Sequence, residues 1–327
     1  MVSGIISHDF DKRMVLVGGR AHPELAIAVA QELDCDLVPT EAFDFANGEI
    51  YVRFGESVRG AVAFVLQSHT SPINKWMMEH LIMCDALKRA SVRSTTAIAP
   101  FFGYARQDKK HRGREPISSR LMADLFKTAG ADRLMAVDLH TAQIQGFFNG
   151  PVDHLWALPI LANYVRTRLD RTKLTIVSPD AGRVRVADQW SDRLNAPLAI
   201  IHKRHDPRVA NQVEVHELVG EVAGRTCVIV DDMIDTAGTI VQAAQALKDN
   251  GADHIIVAAA HAVMSGPAVA RLRDSCISEV VVTDTLPLSE EQRFDKVTVL
   301  SIAPLIARAI REVFDEGSVT SLFDGNV

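Results

Sequence analysis

Short unbroken apolar runs recur along the chain, and stretches with apolar positions every three to four residues fall between them. Residues 14–17, 62–66, 134–137, 174–177, 227–230, 255–259 and 280–282 are runs of the first kind. Runs of this length predict strands buried on both faces, as in a parallel sheet. Residues 24–33, 72–89, 121–128 and 241–250 predict helices. Ser71 stands where it would cap the second helix, with Pro72 at its first position. Gly130 and Gly251 stand where the third and fourth should stop. Strands alternating with helices over this length predict an α/β architecture.

A weak internal repeat accompanies the pattern. Residues 126–140 (FKTAGADRLMAVDLH) and 247–261 (LKDNGADHIIVAAAH) share Lys, Gly, Ala, Asp and His at the same offsets. Either duplication or the common grammar of helix, turn and strand produces such a match. With 327 residues the chain has room for two domains. The division is expected near residues 150–159, giving 1–155 and 156–327, with a tail able to cross back onto the first.

Composition narrows the function. Lys and Arg total 35 against 41 Asp and Glu, a net charge of −6 that leaves no excess to hold a nucleic-acid backbone. No apolar stretch approaches the roughly 18 residues of a membrane span. The first residues lack the apolar core of a secretory signal. The scattered Cys35, Cys84, Cys227 and Cys276 suit a reducing compartment, so a cytoplasmic protein is expected.

The most informative stretch is TCVIVDDMIDTAGTI (226–240). An apolar strand ends in Asp231 and Asp232, and the small-residue loop Asp235-Thr236-Ala237-Gly238-Thr239 opens into a helix. Such a loop turns backbone N–H groups and hydroxyls toward a phosphate at the helix N-terminus. The carboxylates suit vicinal hydroxyls or Mg²⁺. Together they point to a phosphorylated sugar. In PFFGYARQDKKHRGREP (100–116), Arg106 offers a planar fork for phosphate oxygens, and Tyr104 or a nearby Phe offers a face for a base. In DLHTAQIQGFFNGPVD (138–153), Asp138 and His140 end a strand, where a metal-bound nucleotide would sit. No G-x-x-x-x-G-K-[ST] is present, which excludes a P-loop kinase.

The 226–240 stretch resembles the phosphoribosyl-diphosphate loop of type I phosphoribosyltransferases. The FGYARQD and DLHTAQIQGFF blocks closely resemble signatures of the ribose-phosphate diphosphokinases. FANGEIYVRF (45–54), VSPDAGRVRVA (177–187) and IHKRHDPR (201–208) are similar to that family's adenine-side, ribose-phosphate and catalytic loops, in the same order. The resemblance spans nearly the whole chain. It implies two similar phosphoribosyltransferase-like domains, each a mainly parallel sheet flanked by helices. It implies transfer of the diphosphoryl group of ATP to the 1-hydroxyl of ribose 5-phosphate. By motif, Asn47, Gly48 and Glu49 contact adenine from a neighbouring subunit, and Arg106 and Gln107 contact ATP. His140 and Asp180 lie on the Mg²⁺ side. Asp231 and Asp232 hold the ribose hydroxyls, and Asp235, Thr236, Ala237, Gly238 and Thr239 the 5-phosphate. Lys203 is the catalytic lysine. The resemblance also implies a homo-oligomer, a hexamer in the family, with inorganic phosphate as an activator.

Three positions depart from the family pattern. His205 stands where a second catalytic Arg is common, leaving Arg204 or Arg208 to supply that charge; Arg204 is the nearer. Ala237 stands where many relatives have Gly, and Asn47 where many have Asp. The KKHRGREPISSR segment departs more broadly. Two alternatives stay open. One is a salvage transferase, against which the FGYARQD and DLH blocks count. The other is a non-catalytic regulatory relative, against which the intact sugar loop counts.

Overall fold

The computed structural model describes residues 12–205 and 214–323, and at 203–205 and 214–216 it describes the backbone alone. The chain begins with β1 (Met14–Gly18), α1 (Pro23–Leu33) and a hairpin of β2 (Thr40–Asp44) and β3 (Ile50–Phe54). It continues through β4 (Val62–Leu66), α2 (Ile73–Arg89), β5 (Ser94–Ala99), α3 (Ser118–Ala129), β6 (Arg133–Val137) and β7 (Val152–Leu155). β1, β4, β5, β6 and β7 lie side by side in that order, all parallel. The hairpin stands outside this sheet.

The second half starts with α4 (Leu158–Arg168), β8 (Leu174–Ser178), α5 (Val184–Leu194), β9 (Leu198–His205) and β10 (Glu214–Val219). Then come β11 (Thr226–Ile234), α6 (Gly238–Asp249), β12 (His254–Ala262), α7 (Ala268–Asp274), β13 (Glu279–Thr283), β14 (Val297–Leu300) and α8 (Ala303–Phe314). Its sheet runs β10-β9-β8-β11-β12-β13-β14, and β10 alone is antiparallel to its neighbour.

The two halves repeat one topology. In each, a strand and helix precede a two-strand excursion, and the chain then lays down four more parallel strands in sequence order. The repeat at 126–140 and 247–261 is out of step with this symmetry. It pairs α3–β6 with α6–β12, whereas the topological equivalent of α6–β12 is α2–β5. Those identities therefore reflect a shared helix–glycine–strand turn: Gly130 and Gly251 both carry positive φ just past a helix.

Apolar runs became strands because both faces of each sheet are covered. Leu16, Phe64, Leu66, Ile98, Met135 and Val137 on one sheet join Ile176, Val228, Val230 and Ala258 on the other in one contiguous core with α1, α4, α5 and α8. α2 and α3 cover the outer face of the first sheet, and α6 and α7 that of the second. α8 crosses back to the first half. It buries Leu305, Ile306 and Ile310, each contributing roughly 1.5–3 kcal/mol, and Arg311 Nη2 donates to the Glu32 carbonyl at 2.9 Å.

Two local expectations are corrected. α2 begins at Ile73, because Pro72 keeps an extended ψ of 115° and forms the cap; Ser71 makes no side-chain cap. β11 does not end at the acidic pair but runs on to Ile234, keeping the same register with β12 on either side of Asp232. No helix among the described residues is long and apolar enough to cross a membrane.

Candidate active site

In an open parallel sheet, ligands bind beyond the carboxyl ends of the strands. Here the two sheets turn those ends toward each other, and polar contacts stitch them together. Ser68 Oγ, after β4, donates to the Thr285 carbonyl, after β13, at 2.7 Å. His261 Nε2, on β12, lies 3.1 Å from the Val137 carbonyl and 3.2 Å from that of Asp138, at the end of β6. A carbonyl only accepts, so Nε2 carries the proton, and burial holds the imidazole pKa down. Phe101, Met233 and Leu286 close an apolar floor across the two halves, with Phe101 edge-on to His261 at 5.0 Å.

Above this floor lies a cleft of about 560 Å³. Phe101, Tyr104 and Arg106 line one wall and Met233, Asp235 and Ser265 the other. Arg106 Nη1 reaches Asp235 Oδ2 at 2.5 Å, and Ser265 also bonds that carboxylate. The turn carrying Arg106 is closed by the Gln107 N–H on the Tyr104 carbonyl at 2.9 Å. Gln107 Oε1 accepts from Ser118 Oγ at 2.5 Å.

The acidic pair forms a second cluster. Arg183 Nε lies 2.8 Å from Asp231 Oδ1, and its Nη2 lies 2.6 Å from Asp232 Oδ1 and 2.9 Å from His140 Nδ1. The Asp232 contact is an ion pair whose angles fall short of a hydrogen bond. His140 Nδ1 is also 2.7 Å from Asp232 Oδ2. Burial pushes the Asp231 carboxyl well up, and the charge of Asp232 adds to that. Burial acts on Asp232 in the same sense, but its bond to His140 and the charge of Arg183 outweigh it and hold the group below the ordinary range. Asp180 Oδ1 accepts the Gly182 and Arg183 N–H groups at 2.8 and 3.1 Å. Deeper, burial raises the Asp138 carboxyl to about 7, against an opposing bond from the Ala157 N–H.

The small-residue loop 235–239 leads into the N-terminus of α6. Arg271 Nη1 donates to the Thr236 carbonyl at 3.0 Å and braces it. Ala237 adopts φ 59°, ψ 5°, the left-handed conformation that Gly tolerates best. Its Cβ costs about 1–2 kcal/mol there, a strain that Gly would not carry.

Arg106 and Asp235 thus form one group of contacts, and His140, Asp180, Asp231 and Asp232 a second around Arg183. Arg183 is the hub, and sequence reasoning assigned it no role; its place three residues after Asp180 in VSPDAGRVRVA was the available signal. Asn47, Gly48 and Glu49 are not brought to the cleft. They form the exposed tip of the β2–β3 hairpin, and the bonds of this turn stay inside it. Lys203 and Arg204 lie on β9, opposite His216 and Val215 of β10, with side chains outside the described residues. His205 also lies there with backbone alone, and Arg208 lies wholly outside. β9 is parallel to β8, Ile200 facing Ser178, so Lys203 falls at the same end of the sheet as Asp180.

Comparison with known proteins agrees with this layout. The family model for the N-terminal domain of ribose phosphate pyrophosphokinase matches residues 14–130, and that for the phosphoribosyl synthetase-associated domain matches 208–324. Ribose-phosphate pyrophosphokinase of Streptomyces coelicolor is 70% identical over 96% of this chain and 97% of its own. That of Mycobacterium tuberculosis is 59% identical over 98% of this chain and 100% of its own. The crystal structure of phosphoribosylpyrophosphate synthetase from Mycobacterium smegmatis superposes with a TM-score of 0.88, at 57% identity, over 94% of this chain and 100% of that one. With both halves, their order and the fold in agreement, the chain is an enzyme and belongs to the ribose-phosphate pyrophosphokinase family.

Proposed function

We propose that the cleft between the two sheets transfers the diphosphoryl group of ATP to the 1-hydroxyl of ribose 5-phosphate, giving 5-phosphoribosyl 1-diphosphate and AMP. The observation that carries this reading is the joining of the two substrate sides in one site: Arg106 pairs with Asp235, and His140 with Asp232. The reading serves nucleotide biosynthesis in the cytoplasm. It divides the chain into an ATP-side domain, 1–155, and a ribose-phosphate domain, 156–327, with α8 packed back on the first.

The 5-phosphate sits on the N–H groups and hydroxyls of Thr236 to Thr239 at the start of α6. The ribose hydroxyls donate to Asp231 and Asp232, whose remaining oxygens Arg183 holds in place. Arg106 leaves Asp235 to grip ATP phosphates, and Gln107 supports it. In-line transfer then depends on positioning and on neutralising the charge that develops. Lys203, at the end of β9, supplies that charge, with Arg204 beside it.

Mg²⁺ bound to ATP would neutralise phosphate oxygens. This cation takes few protein ligands, mostly carboxylate oxygens. The Asp180 carboxylate is an oxygen donor of that kind, oriented by the Gly182 and Arg183 N–H groups on its Oδ1. His140 has Nδ1 engaged, so Nε2 is its atom for the Mg²⁺–ATP side. The exposed Asn47–Glu49 turn suits adenine of a neighbouring subunit, which makes the protein a homo-oligomer, a hexamer in this reading. Inorganic phosphate is its activator.

The test is a split of Michaelis constants in a coupled AMP assay. Arg106→Ala should raise KM for ATP about tenfold or more, and Thr239→Val should raise KM for ribose 5-phosphate by a similar factor. Equal effects of both variants on both substrates would contradict the assignment.

A further inference from the structure

The turn bearing Arg106 is anchored from below by two buried histidines. His69, just after β4, and His80, within α2, are both fully shielded from solvent. The Gly103 N–H donates to His69 Nδ1 at 3.0 Å, and the His69 N–H donates to the Phe101 carbonyl at 3.2 Å. An amide N–H cannot accept, so Nδ1 of His69 must offer a lone pair. Its proton is therefore on Nε2, which faces His80 Nδ1 at 3.1 Å. That atom accepts in turn, and the proton of His80 is left on Nε2, which is buried without a full hydrogen-bond partner among the described residues. One backbone donor thus fixes both tautomers. Phe126 stacks on His69 at 5.8 Å and meets His80 edge-on at 4.8 Å, sealing the pair from water.

We infer that His69 and His80 are a positioning pair for ATP: a neutral relay running from α2 to the Gly103 amide, which sets the turn that aims Arg106 and Gln107. Gly103 has no slack there. A Cβ on it would lie 3.2–3.3 Å from His69, Ile73 and Met77. Tyr104, the next residue, has φ 63°, so the backbone reverses immediately after the anchored amide. Any tilt at Gly103 is carried to the Arg106 side chain. Burial, and for His69 the neighbouring His80, hold the rings neutral, as the relay requires. The inference rests on the proposed placing of ATP against Arg106 and Gln107.

The experiment compares His69→Leu, His69→Asn and His80→Met with the parent enzyme. Asn keeps an acceptor near the position of Nδ1, and Leu removes it. His69→Leu is expected to raise KM for ATP about tenfold, leave KM for ribose 5-phosphate within twofold, and speed hydrogen exchange at the Gly103 amide. His69→Asn should recover most of both effects. His80→Met should shift both the same way by less, and it serves alone if His69→Leu does not fold. Unchanged exchange at Gly103, or equal rises in both Michaelis constants, would overturn the inference. The parent enzyme separates the two readings: without sugar-dependent AMP the proposed function fails, whereas the exchange result at Gly103 still judges the anchor.

Discussion

His154 illustrates how one buried side chain sets the response to acid. Its Nε2 accepts the Leu139 N–H at 2.8 Å, and its ring lies 4.1 Å from Trp156. Burial lowers its pKa from 6.5 to about 4. Between these values the unfolded chain binds a proton that the folded chain refuses. The contribution is complete above pH 6.5 and is lost as pH falls toward 4, at up to about 1.4 kcal/mol per unit. Urea unfolding of His154→Gln, which keeps an acceptor for Leu139, should therefore fall less between pH 7 and pH 4 than the parent, by about 3 kcal/mol. Parallel curves would contradict this. Arg183 teaches a different lesson at the same scale. Its partners Asp231 and Asp232 lie some fifty positions away, and only the fold joins them. Motif reading located the carboxylates but not the guanidinium that organises them.

Elements were legible where burial was two-sided. Strands β4, β8 and β13 follow their apolar runs closely. β5 escaped because it carries Ser94, Thr95 and Thr96, polar residues in a buried strand. The β2–β3 hairpin escaped because it is half exposed on both strands: Phe43, Phe45 and Tyr51 cluster on one another, and Val52 and Phe54 reach the core only in part. What orients that hairpin is a charge network. Fully buried Glu79 accepts from Arg20 N and Nε at 2.9 and 2.7 Å and from Gln67 Nε2 at 2.9 Å. Arg20 and Lys75 then hold Asp44, at the tip end of β2, at 2.7 and 2.6 Å. Gly19 makes room: a Cβ there would lie 2.1 Å from Gln67. Removing Glu79 strips a half-buried guanidinium of its deeper partner. Glu79→Ala should cost about 3 kcal/mol in urea unfolding. A loss under 1 kcal/mol would show that Asp44 alone suffices.

At the scale of the whole molecule, one topology is used twice with different chemistry at the strand ends. The first half brings Arg106 to Asp235 and His140 to Asp232 across the cleft, while Arg183 offsets Asp231 and Asp232 from within the second half. The apolar floor and the His261 and Ser68 bonds lock the halves at this line. Both motifs were readable in the sequence, and so was their order. Their closeness was not, because it depends on how α8 and the shared core bring two sheets together. The Asn47–Glu49 turn stays apart from the cleft within one chain. In the proposed reaction this cleft moves a diphosphoryl group between two substrates, with Lys203 supplying charge. The most direct measurement is AMP release from Mg²⁺–ATP with and without ribose 5-phosphate, beside Lys203→Ala. AMP is expected only with the sugar phosphate present, with a fall of about a hundredfold or more in the variant. AMP formed equally without the sugar, or at the parent rate by Lys203→Ala, would contradict it.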